Sequence, residues 1–428
     1  MATAAHRSGK SRLSLHMLGV ICALTAGVWL GAAEAPAKLV NVGFSPFAIS
    51  LCMVTGVFTA RWTFPTLLKG TGYIFSDLAE KKHLMVWALL AGALWAVANT
   101  LTVFAIRDVG LSVAFPLWNA NSLIGLFWGR VLFDELKGAS CSNISRVVAG
   151  ATAIVIAAIM LGFSTIHGGA IGHHAIRGIV AALGASLMWG SMYVPYRKAY
   201  LSGMNPLSFV TVFTVGELGT VLALTLALDG GLHSTAFQLF LEPEILFWLF
   251  LGGFVWVIGD LFQQFAAKYL GIGRGIPLSN TNQLWGLAWG ALAFGELAHG
   301  DRQHLLLVIG GSVLMILGAL AIGSAVASAK EQNSTENAIL RECRRYGLDY
   351  ERTLQAMSGD EFGSRSERRR WWDYAIILVA TSIFILLGVR ATVPNLAMNL
   401  HWVAALAAIL LVSLIAGAWC LGRRTRFS

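Results

Sequence analysis

Charge is scarce in this chain. Only 12% of its 428 residues are Asp, Glu, Lys or Arg, against 56% hydrophobic. A soluble domain carries about a quarter charged residues, so a soluble fold is excluded. Cysteine is sparse as well: Cys22, Cys52, Cys141, Cys343 and Cys420 are scattered and odd in number, without metal spacing or a disulfide framework. No GxxxxGK[ST] run precedes a helix, which excludes the usual ATP-binding loop. Ser/His/Asp, HExxH and CxxC sets are absent, so an enzyme is not expected, nor any metal or cofactor. His167, His173 and His174 form a cluster too loose for a metal.

What is present is long apolar runs. Mean hydropathy is +0.68, and several segments exceed the roughly 18–20 residues that span a bilayer. Twelve spans are expected, near 15–34, 40–60, 84–105, 110–133, 146–165, 178–199, 206–228, 245–267, 273–296, 303–326, 372–389 and 399–421. The start, MATAAHRSGKSR before an apolar run and GAAEAPA, also has the form of a secretory signal. A downstream partner for this segment argues that it is retained.

Basic residues alternate strongly between sides. The N-terminal side holds Arg7, Lys10, Arg12, Arg61, Lys69, Lys81, Lys82, Lys137, Arg146, Arg197, Lys198, Lys268, Arg274, the basic residues of 330–370, and Arg423, Arg424 and Arg426. The other side holds Lys38, Arg107, Arg177, Arg302 and Arg390. Both ends are therefore expected to be cytoplasmic, in an integral protein of a bacterial inner membrane. That topology accounts for the net charge of +9 without a nucleic-acid partner.

The stretch PLWNAN at 116–121 returns as PLSNTN at 277–282, a shift of 161 (277 minus 116). The same shift aligns Trp87 with Trp248, Trp95 with Trp256, Asn119 with Asn280, Asn121 with Asn282, Gly125 and Gly129 with Gly286 and Gly290, and Glu135 with Glu296. Upstream a shift of 159 pairs Gly19 with Gly178, Gly31 with Gly190 and Pro36 with Pro195. Each unit holds five spans, and an odd number places the second copy upside down, as in secondary transporters with a midplane site. The expected fold is all-α and polytopic: a ten-helix inverted repeat of five plus five with two extra C-terminal transmembrane helices. Its parts are a cytoplasmic N-terminus (1–14), the first repeat (15–165), an outer linker (166–177), the second repeat (178–326), a charged cytoplasmic segment (327–371) and a two-helix extension (372–428).

GALWAVAN (92–99), GLSVAFPL (110–117), WGSMYVPYRK (189–198), GGFVWVIGD (252–260), YLGIGRGIPL (269–278) and FGEL (294–297) resemble the glucose/ribose porter family of the drug/metabolite transporter superfamily. The resemblance covers about 15–326. It implies ten helices in inverted repeats, alternating access, and sugar uptake, often with a proton. The chain departs from that pattern at Asp260, where Asn is usual, at Glu34, and from 327 onward.

Several polar residues inside the spans are candidates for that work. On a regular helix Asn121 lines up with Gly125 and Gly129, and Asn282 with Gly286 and Gly290, as interhelical packing tracks. Asn119, Asn280 and Gln283 would face a cavity, where amides suit paired hydroxyls; all the amides could instead satisfy backbone freed by Pro116 and Pro277. Trp95 with Asn99, and Trp256 with Asp260, repeat at i, i+4, and Gln263 and Gln264 continue that face. An aromatic plate beside a hydrogen-bonding group suits a sugar ring, though such tryptophans also simply pack. Asp260 is the first candidate for proton coupling, Glu217 the second; Glu34 could couple or pair with Lys38. Glu135 and Glu296 are expected at helix ends or gates, and Arg130 is expected to pair with Asp134. Expected partners are a small solute, the lipid bilayer and protons. The reading is a secondary transporter of a neutral polar solute, most simply a monosaccharide. The competing readings are a drug/metabolite exporter or ureide-type permease, and a membrane sensor acting through the tail.

Overall fold

The computed structural model describes residues 14–33, 44–109, 114, 117–163, 175–231, 243–295, 302–359, 369–392 and 398–427. Within them the chain is helical throughout: α1 (Leu15–Ala32), α2 (Pro46–Lys69), α3 (Gly72–Glu80), α4 (His83–Val109), α5 (Asn121–Phe133), α6 (Cys141–Phe163), α7 (Ala175–Leu201), α8 (Pro206–Leu228), α9 (Leu246–Leu270), α10 (Ile272–Ser279), α11 (Asn282–Ala288), α12 (Arg302–Gly323), α13 (Ala329–Tyr346), α14 (Tyr350–Ser358), α15 (Trp371–Arg390) and α16 (Leu400–Thr425). Ten of these are long and apolar enough to cross a membrane. The fold is an all-α polytopic membrane protein.

The other two expected spans, the fourth and ninth, are broken. α5 has 13 residues, about 20 Å at 1.5 Å each, short of a core of about 30 Å. The ninth is split into α10 and α11 and closes in a π-helical turn, Trp289–Ala293. Both breaks fall at the asparagine motifs. Backbone can leave the helical pattern at membrane depth only where protein satisfies it, and here protein does so. Asn280 Nδ2 donates to Asn121 Oδ1 at 3.1 Å and to the Asn119 carbonyl at 3.4 Å. Ser122 Oγ donates to that same carbonyl at 3.0 Å. The two motifs thus meet each other, which is why amides are tolerated there.

α2 begins with Ser45 as N-cap and Pro46 in the first turn, and α8 begins with Asn205 and Pro206 in the same roles. These are favoured starting residues, and they set α2 later than expected. It runs past position 60 to Lys69, carrying Arg61 into the bundle interior rather than onto the flanking face.

Glycines at matching places in the two halves make paired contacts: Gly92 matches Gly253 at a shift of 161 (253 minus 92), and Gly56 of α2 matches Gly216 of α8 at a shift of 160 (216 minus 56). A Cβ on Gly92 or Gly216 would strike the carbonyls of Phe213 or Leu89, locking α4 to α8. A Cβ on Gly253 or Gly56 would strike those of Met53 or Phe250, locking α9 to α2. Gly31 of α1 lies against the Asn282 carbonyl, and Gly190 of α7 against that of Asn121. Backbones this close pack through dispersion and leave no room for side chains. α15 docks on α2, and α16 on α1 and the π turn.

Candidate functional site

The bundle interior holds an ion cluster that sequence reasoning saw only in part. Arg61, Glu217 and Asp260 are all 0% exposed. Arg61 Nη2 donates to Asp260 Oδ2 at 2.7 Å, and its Nη1 stands 3.0 Å from Glu217 Oε1. The guanidinium lies over the Phe213 ring at 4.1 Å and near that of Trp256 at 5.3 Å, faces that attract a cation. Gln264 Nε2 donates to Asp260 Oδ1 at 3.2 Å, and Tyr200 donates its hydroxyl hydrogen to Gln264 Oε1. Tyr196, packed edge-on against Phe213, helps close the space around the cluster. α2, α8 and α9 each supply one charge.

Trp95 and Trp256, matched by the shift, meet with ring centroids 4.9 Å apart at 59°, so the expected aromatic pair adjoins Asp260 and Arg61. The indole Nε1 of Trp95 is buried without a hydrogen-bond partner, as are Gln283 Nε2 and Asn282 Oδ1. Buried polar atoms normally have partners, and these three have none among the described residues.

Other expected site residues are occupied by protein. Asn99 donates to Ser50 Oγ at 2.9 Å, tying α4 to α2. Gln263 donates to Ser279 Oγ at 2.6 Å, bracing α9 against α10. Asn119 and Asn280 are buried in the junction between the broken spans. The face arithmetic that separated Asn119 from Asn121, and Asn280 from Asn282, presumes a continuous helix that neither span keeps. Gly125 packs on the Tyr193 ring and Gly286 faces the Gly31 carbonyl, while Gly290 is buried. Glu34, Lys38, Pro116, Glu296 and the three outer-loop histidines lie outside the described residues.

Glu135 is a helix-end residue of a specific kind. Its carboxylate accepts from the backbone nitrogens of Ile272 at 3.0 Å and Gly273 at 2.8 Å, and Arg197 Nε stands 2.8 Å away. It therefore closes the N-terminus of α10, where unpaired N–H groups and the helix dipole favour an anion. Gly271 makes this possible: its φ of +84° suits glycine, and an added Cβ would lie 2.7 Å from the carboxylate. One side chain thus joins the end of α5 to α7 and α10.

On the same face α13 straps the helix ends together. Arg274 donates both Nη groups to Glu331, at 2.5 and 2.9 Å. Lys198 Nζ reaches Glu342 at 2.8 Å and Arg341 reaches Asp134 at 2.8 Å. Asp134 is also engaged by Lys137, so the expected Arg130–Asp134 pair is not formed; Arg130 is exposed instead.

Arg61 was missed because its span was placed six residues early. Two signals pointed to it: the Ser45-Pro46 start, and two intramembrane carboxylates with no cation beside them in sequence.

The chain is similar to known proteins over much of the bundle. A family model described as sugar transport protein matches residues 179–346, running on from the tenth span into α13. A probable glucose uptake protein of Staphylococcus epidermidis is 22% identical over 269 residues, covering 61% of this chain and 86% of that protein. The glucose uptake protein of Staphylococcus xylosus is 23% identical over 264 residues, covering 60% of this chain and 85% of its own length. Family model and relatives thus bear out the resemblance to the glucose/ribose porter family, and the chain is similar to sugar transport proteins.

Proposed function

We propose that this protein is a secondary transporter that takes up a small neutral polar solute, a monosaccharide, across the cytoplasmic membrane, with both termini cytoplasmic. Two inverted five-span repeats alternate access to a site beside Trp95 and Trp256. The relatives' names support the substrate class. The paired glycine contacts, α4 with α8 and α9 with α2, support the repeat.

The observation that carries the mechanism is the charge count at Arg61. One cation faces two carboxylates, all fully buried. A buried excess charge costs several kcal/mol unless neutralised. One proton on the Glu217–Asp260 pair cancels the excess, and its release leaves a negative site that Arg61 alone does not balance. Proton occupancy and the conformation of α2, α8 and α9 are then linked, the requirement for symport. The tryptophan plates offer apolar faces to a pyranose ring, and the unpartnered Trp95 Nε1 and Gln283 Nε2 offer donors to its hydroxyls. On the cytoplasmic face, Glu135 with Arg197 and the α10 N-terminus forms the closure that opens for release.

The test is uptake of labelled glucose into proteoliposomes with an inward proton gradient. Wild-type protein accumulates sugar, and Asp260→Asn, which leaves Arg61 paired with Glu217 alone, loses accumulation while retaining sugar exchange. Accumulation by Asp260→Asn at the wild-type level, or failure of every monosaccharide to enter, overturns the reading.

A further inference from the structure

Arg130 stands in the last turn of α5, on a surface shared with Phe127, Val131 and Leu132, which are 56%, 55% and 47% exposed. In a membrane helix those apolar side chains face lipid. A cation among them needs an anion or water, and the one carboxylate in reach on its own helix, Asp134, is taken by Arg341 at 2.8 Å and Lys137 at 3.3 Å.

Directly after this turn a cavity of about 510 Å³ opens between α5 and α13. Its apolar lining comes from Phe133, Leu201 and Ala338, and its rim carries Lys137, Arg341 and Arg345. The rim's two carboxylates do not balance these cations. Asp134 is shared by two of them, and Glu342 is held by Lys198 at 2.8 Å from outside the cavity. Three rim cations therefore face one available carboxylate, and exposed Arg130, next in sequence to the lining residue Val131, adds a fourth cation beside the cavity. Arg130 is also peculiar to this copy of the repeat, since Ala291 stands at the matching place.

We propose that this cavity binds the phosphate head group of an anionic phospholipid, with its acyl chains lying along Phe127 and Val131. Both halves of the ligand are met: Arg130, Lys137 and Arg345 supply charge-assisted donors for a phosphodiester, and the lipid-facing apolar stripe of α5 continues without a break from the cavity mouth. Basic pockets at the cytoplasmic end of membrane helices suit such head groups. A lipid seated there bridges the end of the broken fourth span to the α13 strap, so it steadies the face that Glu135 closes.

The experiment compares the purified full chain in nanodiscs of phosphatidylcholine alone and of phosphatidylcholine with phosphatidylglycerol. The readouts are apparent melting temperature and lipid retained in native mass spectra. A ligand of the folded state raises apparent stability, so phosphatidylglycerol should raise melting by several degrees and remain as a bound adduct. Arg130→Gln/Arg345→Gln should lose both, and Arg146→Gln, an exposed cation on α6 away from the cavity, should keep both. Equal melting in the two lipid mixtures, or a double variant with the full rise and adduct, overturns the proposal. Inorganic phosphate reproducing the rise in phosphatidylcholine discs overturns the lipid assignment, because the occupant is then a free anion. The readouts are independent of sugar flux, so failure here leaves the transport reading standing.

Discussion

Replacing Arg61 by Met is the sharpest perturbation of the buried cluster. Met approximates the aliphatic stem but removes the charge, leaving Glu217 and Asp260 fully buried beside each other without a cation. Breaking a buried ion pair from one side costs about 3–5 kcal/mol, because the surviving charge stays desolvated. Loss of the Phe213 contact at 4.1 Å adds about 0.5–2 kcal/mol. The electrostatic part of this loss resides in the orphaned carboxylates and not in the missing arginine, which gives the reasoning a direct check. Arg61→Met should be strongly destabilised in an SDS-titration unfolding assay. Arg61→Met/Asp260→Asn should recover part of the loss, and Arg61→Met/Asp260→Asn/Glu217→Gln most of it, since uncharged groups replacing a buried ion cluster are often neutral or stabilising. A single variant as stable as wild type would mean that water reaches the cluster. A triple variant as unstable as Arg61→Met alone would mean that the arginine acts through packing. Either result refutes the charge-count argument.

Three further outcomes follow from other contacts. Gly253→Leu should lower stability by about 1–3 kcal/mol or more, through overlap of its Cβ with the Met53 carbonyl, whereas Gly219→Ala, which meets nothing within 4 Å, should leave the unfolding midpoint unchanged. Glu331→Ala removes the bidentate partner of Arg274 and should free α13, read as faster limited proteolysis between residues 329 and 346 in otherwise folded protein. Arg341, aided by Lys137, holds the Asp134 carboxyl below the usual carboxylate range. That contribution to docking of α13 is fully present above the ordinary aspartate pKa of about 3.9 and is lost only as pH falls through the lower folded value. Proteolysis of α13 should therefore be flat between pH 7 and about 5, and Arg341→Gln should move its acid-induced rise to higher pH.

The fold was largely legible because membrane helices write themselves as long apolar runs, and ten of the twelve expected spans are continuous helices. The fourth and ninth were legible only as places where something differs. PLWNAN and PLSNTN announced that lipid-incompatible groups must be satisfied, but the partner of each is the other, more than a hundred residues away, and no local pattern states such a pairing. Setting Asn119 apart from Asn121, and Asn280 from Asn282, carried helical periodicity across a break, where it has no meaning, whereas the tracks from Asn121 to Gly129 and from Asn282 to Gly286 run within α5 and α11. The tail shows the opposite case. Its charges read as a solvated segment, yet Glu331 and Glu342 are spent on Arg274 and Lys198, basic residues that the topology count had treated as free flanking charges.

The site divides along the same line. Duplication made Trp95 and Trp256 visible as a pair, and they do meet. What duplication could not reveal is the charge, because charge is where the copies diverge. Asn99 sits in a neutral chain with Ser50 and Thr100, while its counterpart Asp260 is bound to Arg61, which has no matching cation in the second copy: the shift of 160 that relates α2 to α8 lands on Val221. The cluster is therefore built across the repeats, with Arg61 from the first copy and both carboxylates from the second. An ion cluster split in this way changes whenever the copies move against each other, whereas one held within a single copy would ride through the motion unaltered. In the transport cycle proposed above, this placement would let a proton report on, and bias, the relative position of the two halves. It is also why the arginine had to be found by asking which cation could neutralise two orphaned carboxylates, a question of electrostatics that the repeat by itself does not pose.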